Sequence, residues 1–322
     1  MIKARGLTKS YRTRTGTVEA VKGVDIDVDA GEIVAFLGPN GAGKTTTQRM
    51  LTTLLAPTAG TAIVAGHDLR ADPVRVRRRI GYVPQGGSTS AEATVGEELV
   101  DHGRLYGLSK AQSQRRGRRL IAEIELEGTW ERQTRTLSGG QRRRLDIALG
   151  LVNEPPLLFM DEPSSGLDPQ ARANLWRHIR ALREDRGVTV FLTTHYLDEA
   201  DALCDRVFVI DHGEIVARGT PAELKREVSG DAVSLRLRDL DDVAAATAVL
   251  AAIPHSTLTR SDGDMLDFGL PDASLALPEV FAALERAGVG LAGIEVHRPT
   301  LDDVFLSLTG RALRDDPVPT AA

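Results

Sequence analysis

The stretch Gly38-Pro39-Asn40-Gly41-Ala42-Gly43-Lys44-Thr45-Thr46 decides how the rest of this chain is read. It contains G-x-x-x-x-G-K-[ST], with Gly38, Gly43, Lys44 and Thr45 in the required places. The run before it, Ile33 to Leu37, is short, apolar and strand-like. The run after it, Thr45 to Leu55, has no Gly or Pro and is rich in helix formers. A strand, a Gly-rich turn and a helix are the context in which this motif cradles phosphate. Glycine permits φ > 0, so successive backbone N–H groups can converge on one anion, and the helix adds its positive end. Lys44 then reaches the β- and γ-phosphates, and the Thr45 hydroxyl can ligate Mg²⁺. The alternative is an ordinary Gly-rich connection, which the remaining motifs have to exclude.

Before the loop, residues 1–37 read as short strands (Ile2–Ala4, Val18–Val21, Val24–Val28) and turns. Tyr11 lies in this region, where an aromatic either stacks on adenine or sits half exposed on a strand. After the loop, Gly60 to Leu69 reads as a hairpin, and the basic run Arg75–Arg79 as a solvated helix face. The strand Ile80–Val83 ends in Pro84-Gln85, and Gln85 can bind Mg²⁺, orient water or be a plain loop amide. Residues 86–136 become charged and helical, with helices expected over 97–108 and 110–128. The cluster Arg115, Arg116, Arg118 and Arg119 is read as surface charge, or as lying near a partner. This insert closes at Leu137-Ser138-Gly139-Gly140-Gln141, ahead of a helix expected over 142–151. Ser138 is a good N-cap, and Ser with two glycines at a helix start makes a second anion-binding element.

Leu157 to Met160 is apolar throughout and runs into Asp161-Glu162, the pattern of a buried parallel strand with carboxylates at its C-terminal end. Asp161 suits Mg²⁺, and Glu162 suits polarising an attacking water. Asp168-Pro169 reads as N-cap and first position of a helix to Glu184. The next strand, 188–192, leads to His195, which can reach a γ-phosphate. Residues 206–219 read as a hairpin. From Val233 the order β-α-β-β-α-β suggests a small ferredoxin-like domain, with its second helix expected over 278–287, followed by a short amphipathic helix from Leu301.

Composition is that of an ordinary globular chain: 322 residues, 42% hydrophobic, 26% charged and 4% aromatic. A net charge of −5 argues against nucleic acid as a partner. One cysteine, Cys204, leaves no internal disulfide and fits a reducing, intracellular setting. The N-terminal MIKARGLTKSYRT lacks the apolar core of a signal peptide, and no stretch approaches the ~18 apolar residues of a membrane span. Any membrane role is therefore expected to come through a partner.

Taken together, GPNGAGKTT, YVPQ, LSGGQ, LLFMDEP, SSGLD and TTH, in that order over residues 1 to about 225, resemble the ATP-binding cassette (ABC) ATPases. The segments RRRLDIALGLV, GLDPQAR, LTTHYLDEAD and PTLDDVFLSLTG resemble more closely the drug-resistance subfamily, typified by daunorubicin-type exporter ATPases. One departure is mild: Ser164-Ser165 stands where Thr is commoner, which keeps the hydroxyls. The resemblance implies an α/β P-loop NTPase core with an antiparallel β subdomain and a helical subdomain, plus a small ferredoxin-like C-terminal domain. The expected boundaries are 1–228 for the cassette, with its helical subdomain over about 86–150, then 229–309, with 310–322 a disordered tail.

It further implies ATP and Mg²⁺ as ligands and a head-to-tail homodimer with two ATP molecules at its interface. Gly38, Pro39, Asn40, Gly41, Ala42, Gly43, Lys44, Thr45 and Thr46 of one chain hold each nucleotide in that arrangement. Ser138, Gly139, Gly140 and Gln141 of the other chain close on its γ-phosphate. Tyr11 becomes the adenine stacker, Thr45, Gln85 and Asp161 the Mg²⁺ ligands, Glu162 the base, His195 the γ-phosphate sensor, and Asp168 part of the loop that crosses the dimer. The implied role is the ATPase subunit of a two-component exporter of a drug, antibiotic or other amphipathic molecule, on the cytoplasmic face of the membrane beside a multi-span permease. Lipid or polysaccharide cargo keeps the enzyme and changes the passenger. A soluble switch on ribosomes or DNA is disfavoured by the single cassette, single Cys and lack of a heptad arm. A kinase is disfavoured because Glu162 and His195 favour water as acceptor. Removing residues 231–322 is expected to leave nucleotide binding intact and to weaken assembly. A truncated chain that no longer binds ATP in equilibrium dialysis would make the C-terminal region part of the cassette.

Overall fold

The computed structural model describes residues 1–14, 16–228 and 230–310. The expected tail over 310–322 falls outside them from residue 311 onward. Contacts divide the described chain into two units, Met1–Thr220 and a second from Pro221 onward.

The first unit opens with β1 (Ile2–Thr13) and β2 (Gly16–Val28), then β3 (Ile33–Leu37) and α1 (Lys44–Leu51). Next come β4 (Ala59–Val64), β5 (His67–Asp68), α2 (Pro73–Arg79) and β6 (Ile80–Val83). The helical insert holds α3 (Val95–Leu105) and α4 (Lys110–Glu123) and leads into α5 (Gly139–Leu151). Then follow β7 (Leu157–Asp161), α6 (Pro169–Arg186), β8 (Thr189–Thr194), α7 (Leu197–Leu203), β9 (Arg206–Asp211) and β10 (Glu214–Gly219). Two sheets result. One is antiparallel, in the order β2-β1-β4-β5; the other runs β10-β9-β3-β8-β7-β6, parallel except for β10.

Every residue of β3, β7 and β8 is buried, which explains their unbroken apolar or Thr-rich runs. The core joins both sheets: Ile2, Leu7 and Ile26 of the antiparallel sheet belong to one cluster with Phe36, Phe159, Phe191 and Phe208 of the parallel one. Phe191 lies 5.7 Å from Phe36 and 5.5 Å from Phe159 between ring centroids, tilted in both pairs, a favoured aromatic arrangement. The C-terminal ends of β3, β7 and β8 therefore form a rigid rim, and the motif residues stand on it.

The second unit begins with α8 (Pro221–Val228) and β11 (Asp231–Leu237). It continues through α9 (Val243–Ala252), β12 (Thr257–Asp262), β13 (Met265–Leu270), α10 (Ala273–Arg286), β14 (Leu291–His297) and α11 (Leu301–Thr309). Its antiparallel sheet has the order β12-β13-β11-β14, the ferredoxin-like arrangement. Val233, Leu235 and Leu237 on β11 alternate with more exposed residues, as do Leu266, Phe268 and Leu270 on β13. All six are buried in one cluster with Leu250 and Leu284 of the helices.

Several boundaries differ from those the sequence suggests. The two pieces 18–21 and 24–28 are one strand, since both pair with β1. α1 stops at Leu51, beyond which Thr53 adopts φ 63°. α4 stops at Glu123, ahead of Glu125 at φ 55°. α10 starts at Ala273, not 278: Asp272 accepts from the backbone N–H of Ser274 and Leu275, so the helix is capped before Pro278, which lies inside it. The unit division after Thr220 precedes the expected 228/229 boundary because α8 packs on α11. Three of the four clustered arginines of α4 are not free surface charge: Arg116 and Arg119 pair with Glu154, and Arg118 stacks over Trp130 at 4.4 Å.

Where α5 crosses β6 the backbones nearly touch. A Cβ on Gly81 would lie 2.0 Å from the carbonyl oxygen of Gly150, which no side-chain adjustment can relieve. Gly81→Ala is expected to destabilise the cassette by about 3 kcal/mol, the upper end for overpacking. Urea unfolding of the full chain reads this, and a change below about 0.5 kcal/mol, the range of neutral surface substitutions, would mean the crossing yields.

Candidate functional site

Gly38 through Thr46 connects β3 to α1 as the motif requires. Gly43, the N-cap of α1, has φ 107°, and a Cβ there would stand 2.7 Å from the Ala20 carbonyl oxygen. Gly41 has φ 82°. Asn40 and Gly41 form the exposed crest, Pro39 and Ala42 are buried, and Thr45 and Thr46 are half buried. No side chain caps α1, and its first turn has no acidic residue. Both features suit a helix start that receives an anion. The Lys44 ammonium, 4% exposed, donates to the carbonyl oxygens of Gly38 at 2.7 Å and Pro39 at 3.0 Å.

Three strand ends converge on this loop. Asp161 Oδ1 accepts from Thr45 Oγ1 at 3.1 Å and from Thr193 Oγ1 at 2.6 Å, linking α1, β7 and β8. The next residue, Glu162, is 7% exposed and sits at φ 45°, the left-handed region that costs a non-glycine residue about 1–2 kcal/mol. Its backbone N–H donates to both the carbonyl and the hydroxyl of Thr193 at 3.1 Å, which holds that conformation. Strain of this kind, fixed by its surroundings, is characteristic of functional positions.

The Glu162 carboxylate collects the remaining groups. Oε1 lies 3.7 Å from Lys44 Nζ; Oε2 accepts from Gln85 Nε2 at 2.9 Å and lies 3.3 Å from His195 Nδ1. Burial pushes this carboxyl upward, but the His195 imidazole and the Lys44 ammonium outweigh it and hold the group below its ordinary 4.5. Glu162 is thus ionised across the physiological range, as an acceptor of a water proton must be. Gln85, His195, Lys44, Asp161 and Glu162, drawn from four separate stretches of sequence, meet around one point.

Thr45 and Asp161 offer hydroxyl and carboxylate oxygens side by side, the hard donors that Mg²⁺ takes when substrate phosphates complete its shell. Among the described residues no cluster of three or more His, Cys, Asp or Glu could hold a metal without such help. Tyr11 is 39% exposed on β1, paired in register with Val18 of β2, with Lys9 Nζ 5.3 Å from its ring centre. Two residues past Val18, Ala20 abuts the loop at Gly43, so Tyr11 belongs to the hairpin that borders the phosphate loop.

Ser138, Gly139, Gly140 and Gln141 start α5. Ser138 Oγ accepts from the Gln141 N–H at 3.2 Å while the Gln141 side chain accepts from the Ser138 N–H at 3.0 Å, a capping box. With the largely exposed segment Gly166 to Ala171, in which Asp168 caps α6 by accepting from the Ala171 N–H at 2.8 Å, they line an open cavity of about 400 Å³. No residue of Gly38–Thr46 lines it. Within one chain the second anion-binding element does not close on the first.

Sequence reasoning misses three participants. Thr193 reads only as part of the strand leading to His195. Glu199, fully buried on α7, accepts from Ser164 Oγ and from Trp176 Nε1 at 3.1 Å, and burial raises its carboxyl. Arg143, on α5, reaches the backbone beside Glu162 and Gln85. An arginine and an aspartate, Arg143 and Asp146, on the otherwise apolar face of α5 are the available signal.

Comparison with known proteins bears on these observations. Residues 21–165 match the family described as ABC transporter, and residues 219–309 match the C-terminal domain of DrrA1-3-like ATP-binding proteins. The daunorubicin/doxorubicin resistance ATP-binding protein DrrA of Streptomyces peucetius is 45% identical over 100% of this chain and 96% of its own. The Nod factor export ATP-binding protein I of Cupriavidus metallidurans is 39% identical over 98% of this chain and 99% of its own. Among solved structures, a dimeric post-hydrolysis state of the ATP-binding cassette MJ0796 bound to ADP and Pi superposes with a TM-score of 0.63 at 27% identity, covering 68% of this chain and 98% of that one.

The depressed Glu162 carboxyl has a consequence for stability. A group whose pKa is lowered by folding contributes stability above its unfolded value, and this is lost as the pH falls through the lower folded value. Wild type should therefore exceed Glu162→Gln in urea resistance above pH 4.5, and the difference should shrink below it. A difference that grows on acidification would mean burial, not the His195 and Lys44 pairing, governs this carboxyl.

Proposed function

The chain belongs to the ABC transporter family, as one of its DrrA-like ATP-binding proteins, and on that premise we propose a residue-level mechanism and a role in drug export. It binds ATP and couples ATP hydrolysis to transport. The observation that carries the mechanism is the convergence of Lys44, Gln85 and His195 on the Glu162 carboxylate beside the Thr45–Asp161 pair.

The backbone N–H groups of Gly38 to Thr46 and the α1 terminus hold the β- and γ-phosphates. Lys44, at present donating to Gly38 and Pro39, turns its ammonium to the same oxygens. Thr45, Asp161 and Gln85 would hold Mg²⁺, which would supply neutralisation of the charge developing on the transferred phosphoryl group. Glu162, kept ionised, orients and deprotonates the attacking water. His195, beside it, donates to the γ-phosphate and senses its presence. Tyr11 provides a face for adenine. Positioning and electrostatic stabilisation of this kind account for most of the catalysis of phosphoryl transfer.

An incomplete site supports the homodimer. Ser138 and Gly140 open onto a cavity that the phosphate loop of the same chain does not line, so a second copy is needed to bring the two elements together across ATP. The dimeric MJ0796 cassette supports this arrangement. Among the described residues no helix is long and apolar enough to cross a membrane; in this reading the transport path lies in a separate multi-span subunit, with this chain on its cytoplasmic face. Cargo of the daunorubicin type, or another amphipathic molecule, is supported by 40–45% identity to resistance proteins of that name. The two domains act as a cassette, with its helical insert, and an accessory C-terminal domain.

Glu162→Gln is expected to abolish turnover, a loss of at least about 100-fold, while ATP binding persists and the dimer is stabilised. Tagged Glu162→Gln with Mg-ATP, solubilised from membranes of its host, should retain a stoichiometric, very hydrophobic partner. Turnover near the wild-type rate would remove Glu162 as base, and ribosomal partners in place of a membrane protein would overturn the exporter.

A further inference from the structure

Helix α5 carries a buried ion pair, Arg143 and Asp146. The Arg143 guanidinium, 7% exposed, is bound at all three nitrogens: Nε donates to the Pro163 carbonyl oxygen at 2.9 Å, Nη2 to that of Asp161 at 3.0 Å, and Nη1 to that of Pro84 at 2.6 Å. Pro84 precedes Gln85, while Asp161 and Pro163 flank Glu162. One turn along the helix, Asp146, 3% exposed, accepts from the backbone N–H of Ser88 at 3.2 Å and lies 3.9 Å from Arg143 Nη1. A single pair on α5 thus holds Pro84 before Gln85, Ser88 three residues after it, and both flanks of Glu162. A guanidinium is suited to this because its planar fork spreads fixed donors over three nitrogens, whereas an ammonium's three donors radiate from one.

The N-terminus of the same helix is Ser138 to Gln141. A rigid helix with a phosphate-contacting N-terminus and, within two turns, a grip on the base and on Gln85 connects two different sites when the chain is part of the proposed dimer. Ser138 addresses the partner's nucleotide; Arg143 and Asp146 address this chain's own. We infer that the Arg143–Asp146 pair is a positioning device that couples the two ATP sites, so that nucleotide seated against Ser138 sets the placement of Glu162 and Gln85 in the opposite site. Neither side chain contacts the reacting atoms. This inference rests on the two-site dimer proposed above. Coupling of this kind requires a contiguous element that both sites bias, and α5 with its ion pair is such an element.

The test uses the full chain in two variants. Arg143→Lys keeps the charge and loses the three-way grip. The double substitution Arg143→Met with Asp146→Leu removes both charges, so that neither is left buried alone. ATP hydrolysis is measured against ATP concentration, with nucleotide affinity followed separately by a fluorescent ATP analogue and folding by thermal melting. Both variants should bind the analogue within about twofold of wild type and lose about 10- to 100-fold in kcat, the range for a sub-ångström to ~1 Å misplacement of reacting groups. Their Hill coefficient for ATP should fall toward that of independent sites. Retention of both kcat and the Hill coefficient near wild type in both variants overturns the inference, as does a fall in kcat with the wild-type Hill coefficient retained. A melting temperature or analogue affinity lost in step with kcat in both variants overturns it too, by making the pair a general stabiliser. Light scattering on Glu162→Gln with Mg-ATP separates the two levels: a chain that stays monomeric overturns the dimer and this inference with it.

Discussion

Two carboxylates side by side at the end of a fully buried strand are the constraint around which this cassette is built. Asp161 and Glu162 are 3% and 7% exposed, and ionised groups so placed are unfavourable unless donors and opposite charge lie close by. The surroundings supply those donors from α1, β8 and the segments after β6 and β8. Thr45 and Thr193 satisfy Asp161; Lys44, Gln85 and His195 surround Glu162. In the proposed mechanism the same contacts hold the carboxylates for phosphoryl transfer, so that stability and function draw on one set of contacts.

The parallel sheet makes that convergence possible. Because β3, β7 and β8 are adjacent and run the same way, their C-terminal ends form a single rim, and residues distant in sequence become neighbours. Tilted stacking of Phe36, Phe159 and Phe191 beneath the rim leaves little room for the strands to slide. The antiparallel sheet shares this core and brings Ala20 to the margin of the phosphate loop. Beyond the rim, α5 extends from the capping box at Ser138 to the backbone on both sides of Glu162, which connects the helical insert directly to the carboxylate pair.

The second unit follows a different rule. Its buried residues alternate along β11 and β13, so one face of the sheet is covered by helices, as expected for an antiparallel ferredoxin-like sheet. Its boundary is set by α8 and α11 packing together, a contact between segments nearly at opposite ends of the unit. Local sequence around residues 221–228 contains no signal for that partnership.

The sequence by itself determined the phosphate loop, the apolar strand ending in Asp161-Glu162, the strand leading to His195 and the N-cap at Ser138, because each depends on neighbours within a few residues. Glycine spacing, strand burial and helix capping are local physics. The start of α10 at Ala273 is again local, since the Asp272 cap sets it ahead of the internal proline. Tertiary structure alone decided that Thr193 bonds Asp161, that Gln85 and His195 share one oxygen of Glu162, and that Arg143 spans Pro84 to Pro163. The side-chain contacts among these join residues 20 to 77 positions apart in the chain. They form because the parallel sheet gathers strand ends, and buried charge then selects whichever donors the fold brings within reach.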